Sequence, residues 1–339
     1  MKKIAIVTDA WHPQINGVVT TLGMTMKNLA RFGYQVETVT PTLFRSIPCP
    51  SYPEISLAFA TSKTVGAKLY DMNPHCVHIA TEGPLGWAAR AVCKRVNFVF
   101  STSYHTRFPE YLRMRWPVPL SLSYKVVRRF HQASGRTMVA TSSLMGELRS
   151  RGFTNIALWS RGVDAELFRP DAEKRKNNAP PVLLYVGRVA VEKNIEAFLK
   201  IDLPGKKVVV GDGPARRELE ERYADVYFAG YRQGEELAAM FASADVFVFP
   251  SLTDTFGVVM LEAMASGVPV AAYPVTGPKE TVVDGVNGYL HDDLRQAVLE
   301  ALTVLPDSCR QFALKYSWEA CSRQFLDNLF IHDIGLAEL

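Results

Sequence analysis

The stretch Val246-Phe-Val-Phe249-Pro250-Ser251-Leu-Thr-Asp254-Thr255-Phe256-Gly257-Val258-Val-Met-Leu-Glu262-Ala-Met264-Ala-Ser-Gly267-Val268-Pro269-Val-Ala-Ala272 reads as a strand, a helix and a second strand. Val246–Phe249 is an apolar, β-rich run ended by Pro250. A helical run follows over Gly257–Met264, and Val268–Ala272 is again apolar and β-branched. Neither strand alternates with polar residues, so both belong inside a sheet covered on its two faces, which is the habit of parallel sheets. The apolar run from Val258 to Val275 is the longest in the chain, but Glu262, Gly267, Pro269 and Pro274 interrupt it. It is a buried helix followed by a strand, not a span of the ~20 apolar residues a bilayer needs.

The same alternation extends both ways. Val182–Val186, Val208–Val210 and Val226–Phe228 read as strands, with helical runs Glu192–Lys200, Ala215–Tyr223 and Glu235–Ala242 between them. Leu294–Leu305 and Ser317–Asp333 read as closing helices. Towards the N-terminus, Ile4–Thr8, Gln35–Thr40, Val77–Ala80, Val99–Thr102 and Thr137–Thr141 read as strands. A helix over Thr20–Phe32 is stopped by Gly33. Arg169 to Pro181 is polar and Pro-bearing, as linkers are. The expected fold class is α/β, with two Rossmann-like domains whose parallel sheets face a central cleft. The expected division is 1–168, a linker at 169–181, a domain at 182–308 and helices at 309–339 returning towards the first domain. Gly211-Asp-Gly213 lacks the third glycine of a dinucleotide fingerprint, which disfavours a nicotinamide dehydrogenase.

The chain has 339 residues, 48% hydrophobic and 21% charged, a soluble globular balance for about two domains. Its five Cys form no CxxC pair, which argues against zinc and disulfide scaffolds and for a reducing cytoplasm. The N-terminal apolar run meets Asp9 too soon for a signal peptide. The net charge of +4 divides unevenly. Residues 1–176 hold 24 Lys+Arg and 11 Asp+Glu, a net of +13, so the remaining 14 and 23 give residues 177–339 a net of −9. A basic half of that size points to an anionic partner: nucleic acid, a phosphorylated ligand or an acidic lipid surface.

Four loops carry the chemistry. Asp254 follows a parallel strand, where open α/β sheets bind ligands, and Glu262 lies about two turns into an otherwise apolar helix. The backbone N–H groups of Thr255, Phe256, Gly257 and Val258 at that helix start suit a phosphate or a sugar hydroxyl. Arg188 and Lys193 stand just after a strand and can converge on one diphosphate, neutralising charge that develops on a leaving group. Asn16-Gly17-Val18 opens a helix after the first strand, where Gly17 lets backbone approach a phosphate. Ser103-Tyr104-His105-Thr106-Arg107 directly follows the expected strand Val99–Thr102. No Asp-x-Asp metal motif occurs, and neither a metal nor a cofactor is expected.

Residues 251–270 resemble the retaining GT-B glycosyltransferases of family GT4, whose signature is an acid, seven residues, then Glu. Pro13-Gln-Ile-Asn16-Gly17-Val, Arg161-Gly-Val-Asp164 with Phe168-Arg169-Pro170, Tyr185-Val-Gly187-Arg188 with Glu192-Lys193-Asn194, and Gly211-Asp-Gly213-Pro214 follow the same family in order. Asp254 departs from it, since the family usually has Glu there. The resemblance implies that Asp254 holds hydroxyls of the donor sugar and Glu262 the ribose diol. It places His105 near the sugar and acceptor as a hydrogen-bond donor, and it implies a same-face mechanism in which the leaving phosphate helps deprotonate the acceptor. Ser103-Tyr-His-Thr-Arg-Phe-Pro-Glu-Tyr and Trp159-Ser-Arg161-Gly-Val-Asp look most like bacterial members that glycosylate diacylglycerol. UDP-glucose or UDP-glucuronate is the favoured donor. A GDP-mannose-dependent α-mannosyltransferase, a UDP-sugar epimerase of the same fold and a non-catalytic lipid-surface protein are the alternatives.

Residues 107–131 interleave Arg107, Arg113, Arg115, Lys125, Arg128 and Arg129 with Phe108, Leu112, Trp116 and Tyr124, against one acid, Glu110. Such a segment suits an anionic membrane surface holding a lipid acceptor. A solvated helix lying over the core is the other reading of this segment, and nucleic acid is disfavoured, because no RNA- or DNA-binding motif accompanies it. Tyr104, Arg107, Phe108, Arg113, Arg115, Trp116, Arg128 and Arg129 are the expected acceptor and membrane residues. The expected site is the inner face of the cell membrane, bound peripherally.

Overall fold

A computed structural model describes residues 1–14, 16–49, 52–171 and 180–339. The chain divides into two compact units, residues 1–160 with 319–339, and residues 161–318.

The first unit opens with β1 (Lys3–Val7), α1 (Gly17–Arg31) and β2 (Gln35–Val39), then a hairpin of β3 (Ser46–Cys49) and β4 (Tyr52–Ala58). It continues with α2 (Ser62–Met72), β5 (Cys76–Ile79), α3 (Pro84–Arg95), β6 (Ser101–Tyr104), α4 (Phe108–Arg115), α5 (Leu120–His131), β7 (Arg136–Val139), α6 (Ser142–Ser150) and β8 (Ile156–Leu158). Six strands form a sheet in the order β2-β1-β5-β6-β7-β8, every pair parallel. β5 and β6 are buried along their whole length, as strands covered on both faces must be. Ala5, Val7, Val77, Ile79, Leu85, Val92 and Phe100 pack one core of this unit.

The second unit holds β9 (Val182–Val186), α7 (Ile195–Leu199), β10 (Lys206–Val210), α8 (Arg216–Arg222), β11 (Tyr227–Gly230), α9 (Gly234–Ala242), β12 (Val246–Phe249), α10 (Val258–Ala265), β13 (Val270–Ala272), α11 (Thr276–Thr281), β14 (Gly288–Leu290), α12 (Leu294–Ala301) and α13 (Pro306–Ala313). Its sheet runs β11-β10-β9-β12-β13-β14, again all parallel. That is the doubly wound order, which reverses direction between β9 and β12. Leu183, Tyr185, Phe198, Val209, Val246, Val248 and Val298 fill the core beside it.

Several sequence expectations shift. The boundary expected at 168 falls at 160/161. Part of the expected linker 169–181, namely 172–179, lies outside the described residues. Helix α13 stays with the second unit, while 319–339 belongs to the first. The run Glu192–Lys200 is not one helix: Asn194 takes a left-handed conformation (φ 51°) between a 3-10 turn and the short α7. The strand expected at Val99–Thr102 is Ser101–Tyr104, so Ser103 and Tyr104 are strand residues and His105 is the first residue beyond. The C-terminal helix Trp318–Asp327 ends before the expected Asp333.

Candidate active site

The order reversal of the second sheet places two loops side by side, Gly187–Asn194 after β9 and Pro250–Gly257 after β12. Ligands of open α/β sheets bind at such a switch point. The loops are stitched together. Asn194 Nδ2 donates to the Pro250 carbonyl (3.1 Å) and Thr253 Oγ1 to the Glu192 carbonyl (3.4 Å). Lys193 Nζ reaches Asp254 Oδ1 at 2.6 Å. The Tyr185 hydroxyl donates to the Arg188 carbonyl (2.8 Å), and Arg188 Nη1 stands 3.9 Å from Oε1 of the buried Glu192. Beneath them, a Cβ at Gly213 would collide with the Val189 carbonyl, so the loop after β10 packs its backbone against the Arg188 loop only with glycine there.

Asp254 is not a helix cap. Gly257 (φ 84°) takes the cap position of α10 and no side chain bonds the helix start. The Asp254 Oδ2 atom is buried without a hydrogen-bond partner. Phe256 is buried, and a Cβ on Gly277 of α11 would lie 2.9 Å from the Asp254 carbonyl and 3.1 Å from that of Phe256. Phe256 therefore shapes the loop by packing. Thr255, Gly257 and Val258 stay half-buried around the helix start. Glu262 lies in the second turn of α10, partly open, with no hydrogen bond or ion pair from its side chain among the described residues. Burial pushes its carboxyl up to about 7, because the charged form loses hydration without gaining a partner.

In the first unit the strand order reverses between β1 and β5. Gly17 is the first residue of α1 and a Cβ there would meet nothing within 4 Å. The Asn16 side chain already accepts from the Val18 and Val19 amides at 3.0 Å each. Two amides of the helix start expected to receive an anion are thus already met by the cap. Asp9, which the sequence reading passed over, lies two residues past β1 and accepts from Thr81 Oγ1 (2.8 Å) and from the Leu85 (2.9 Å) and Gly86 (3.4 Å) amides, capping α3 from a distance. An acid two residues past an apolar strand, with Gly83-Pro84 starting a helix elsewhere, was the available signal. Beyond β6, His105 Nε2 lies 2.8 Å from Ser103 Oγ, and Ser103 lies 3.1 Å from His78 Nε2. His78 Nδ1 is 2.9 Å from Ser101 Oγ. His78 is fully buried and its imidazole is pushed down to about 3, first by desolvation and then by His131. It stays neutral and orients the Ser103–His105 pair.

The expected acceptor residues separate into two groups. Tyr104 is fully buried in a core with Tyr124, Val127 and Leu144. Arg107 is held by Glu147 (2.6 Å) and Glu110 (3.9 Å), and Tyr124 donates to Glu110 (2.6 Å) while Arg151 sits over its ring. Arg128 donates to the Arg151 carbonyl (3.1 Å). For Tyr104, Arg107 and Arg128 the surface expectation is therefore corrected; they pack α4 and α5 onto the unit. Phe108, Arg113, Trp116 and Arg129 are exposed, together with Leu112, Met114, Leu122, Lys125 and Val126. The Arg115 side chain lies outside the described residues. Among the described residues no helix is long and apolar enough to cross a membrane, and no three His, Cys, Asp or Glu residues group as metal ligands.

Residues 15–167 match the family model described as Glycosyltransferase Family 4, and residues 180–307 match that described as Glycosyl transferases group 1. A GDP-mannose-dependent alpha-mannosyltransferase of Mycolicibacterium smegmatis is 30% identical, the match covering 86% of this chain and 84% of that protein. The chain belongs to the group 1, family 4 glycosyltransferases. A sulfoquinovosyl transferase of Arabidopsis thaliana is 31% identical over 82% of this glycosyltransferase, which spans 61% of that relative's length. An alpha-monoglucosyldiacylglycerol synthase of Streptococcus pneumoniae is 26% identical, over 90% of this chain and 79% of the relative. Sucrose-phosphate synthase from Thermosynechococcus elongatus superposes with a TM-score of 0.80 at 23% identity, over 96% of this chain and 98% of that one. The glycosyltransferase thus has the GT-B fold, two Rossmann-like domains with parallel sheets.

Proposed function

We propose that this glycosyltransferase moves a hexose from a nucleotide diphosphate sugar to a membrane lipid such as diacylglycerol, with retention and without a metal. The observation that carries the reading is the meeting of Lys193 and Asp254 at 2.6 Å, on the loop that also carries Arg188, at the switch point of the second sheet. A cation pair and a carboxylate at one such place suit a substrate that joins a diphosphate to a polyol. Arg188 and Lys193 take the diphosphate and neutralise the charge that grows on it as the C1–O bond breaks. Asp254 and the unpartnered Glu262 accept hydroxyls, each carboxylate offering two acceptor oxygens. On the same face the acceptor oxygen bonds to C1, and its proton passes to the departing phosphate oxygen. His105, oriented by Ser103 and His78, donates towards the sugar.

The acceptor reading rests on α4 and α5, which pack against each other. Exposed Phe108, Leu112, Met114, Trp116, Leu122 and Val126 stand there among Arg113, Lys125 and Arg129. Apolar side chains entering the headgroup zone beside cations is the pattern of peripheral binding to anionic lipid. The alpha-monoglucosyldiacylglycerol synthase among the relatives supports a glycolipid product. The GDP-mannose-dependent relative favours a second reading, mannosyl transfer. Incubation with membranes, a panel of labelled UDP- and GDP-sugars and excess EDTA tests all of this. A labelled lipid is expected with one donor class and undiminished by EDTA. Turnover of UDP-sugar with no acceptor would instead indicate an epimerase or hydrolase. Activity lost in EDTA and restored by magnesium would show that a metal, not Arg188 and Lys193, neutralises the leaving group.

A further inference from the structure

Both cations of the β9 loop face a carboxylate, but the two pairs differ. Arg188 looks towards Glu192 on its own loop, at 3.9 Å, and the Glu192 side chain is only 5% exposed, so that carboxylate cannot follow a ligand. Lys193 meets Asp254 from a different loop at 2.6 Å, with side chains 22% and 18% exposed, near enough to solvent to exchange partners. Asp254 also keeps a second oxygen, Oδ2, that is buried and has no hydrogen-bond partner. A buried acceptor left empty is costly, and a ligand that supplies donors to it gains what the protein forgoes. An ammonium already neutralised by a carboxylate is a weak ligand for an anion, and the carboxylate itself repels one.

We infer that Asp254 is a counter-ion for Lys193 that responds to the presence of the donor's sugar. Without sugar, Asp254 holds Lys193 and the diphosphate site is neutralised. Sugar hydroxyls engage Asp254, Oδ2 included, and Lys193 turns to the diphosphate. Once the glycosyl group has left for the acceptor, Asp254 recovers Lys193 and the spent nucleoside diphosphate is released. Asp254 is then a positioning residue for Lys193 as well as a sugar ligand, and product release is tied to transfer. This rests on the proposed placement of the donor diphosphate at Arg188 and Lys193.

The test is calorimetry with UDP and GDP, which carry no sugar. Asp254→Asn, and Asp254→Ser as a second neutral variant, should bind whichever diphosphate the wild type binds about five- to tenfold more tightly. Rapid-mixing displacement should show the gain as slower release. Asp254→Glu, which keeps the charge, should stay within about threefold of wild type. In a Lys193→Ala background the Asp254→Asn change should tighten binding clearly less than it does with Lys193 present, because only the direct repulsion by the carboxylate is left to remove; equal gains in the two backgrounds would show no coupling through the ammonium and overturn the inference. Unchanged or weaker binding by both folded neutral variants, beside clear binding by wild type, overturns the inference and leaves the donor site standing. Failure of wild type to bind either diphosphate overturns the donor site and the inference together.

Discussion

Glu262 is the carboxylate of the candidate site held far from its ordinary state. Its carboxyl lies in the second turn of an almost wholly apolar helix and titrates at about 7 instead of the usual carboxylate range. The folded value lies above the unfolded one, so the unfolded chain releases this proton first as pH rises. Stability is then complete below about pH 4.5 for this group and is lost as pH climbs through 7. A shift of that size corresponds to at most about 3 kcal/mol, less what its partial opening to solvent recovers. Glu262→Gln should therefore gain stability over wild type at pH 8, by about 1–3 kcal/mol, and almost none at pH 5. Urea unfolding at the two pH values checks this. An equal effect at both would show that Glu262 is solvated in the fold. Binding of a hydroxyl-rich ligand to the carboxylate should draw the same proton off, which makes the residue a reporter of donor binding as well as a liability of the empty site.

At the scale of the element, α4 and α5 make a surface whose parts the sequence could not sort. Composition showed six cations among aromatics over 107–131. It could not show that Arg107 and Arg128 turn inward to Glu147 and the Arg151 carbonyl, because those partners belong to α6 and the residue that ends it, which no local spacing within 107–131 encodes. Among the described side chains, the cations that remain outward are Arg113, Lys125 and Arg129. Near a lipid surface each contributes roughly 1 kcal/mol, so replacing all three by Ser should weaken binding to anionic vesicles on the order of a hundredfold at low salt. Trp116 and Leu112 should leave a salt-resistant remainder in the triple variant, since apolar insertion is not screened while exposed charge is, beyond ~8 Å at physiological salt. Co-sedimentation of the triple variant equal to wild type would move the membrane face elsewhere. The second unit was read best. Val246–Phe249 is a strand exactly as long as its apolar run, and the acid loop behind it was legible from residue type alone. What escaped were elements without a strong period. β14 is three residues opening on glycine, α11 contains Gly277 and Pro278, and the β3–β4 hairpin lies in a stretch with Pro48 and Pro53. The ion pair of Lys193 with Asp254 joins residues far apart in sequence. No local spacing encodes it; the sheet order does.

For the whole molecule, the end of the chain is part of the first unit's core. Phe325 is fully buried, its ring 4.8 Å from His78 and 4.6 Å from Trp159. Gln324 accepts from the Ser160 amide (2.7 Å), Asn328 donates to the Leu158 carbonyl (2.8 Å), and Lys2 donates to the His332 carbonyl (2.8 Å). Leu336, three residues from the C-terminus, is again fully buried. The packing of the unit that carries His105 is thus completed by residues that follow the whole second unit in sequence. Phe325→Ala removes a ring from beneath His78 and should cost about 3–5 kcal/mol, all of it in residues 1–160 and 319–339. Hydrogen exchange should quicken at the amides of β1, β5 and β6 and stay unchanged at β9, β10 and β12, whose core contains none of these side chains. Because His78 orients Ser103 and through it His105, the same variant should lose turnover while keeping its affinity for UDP or GDP in the second unit. Equal quickening in both units would mean that they unfold as one cooperative body, and the selective loss of turnover would then not be seen.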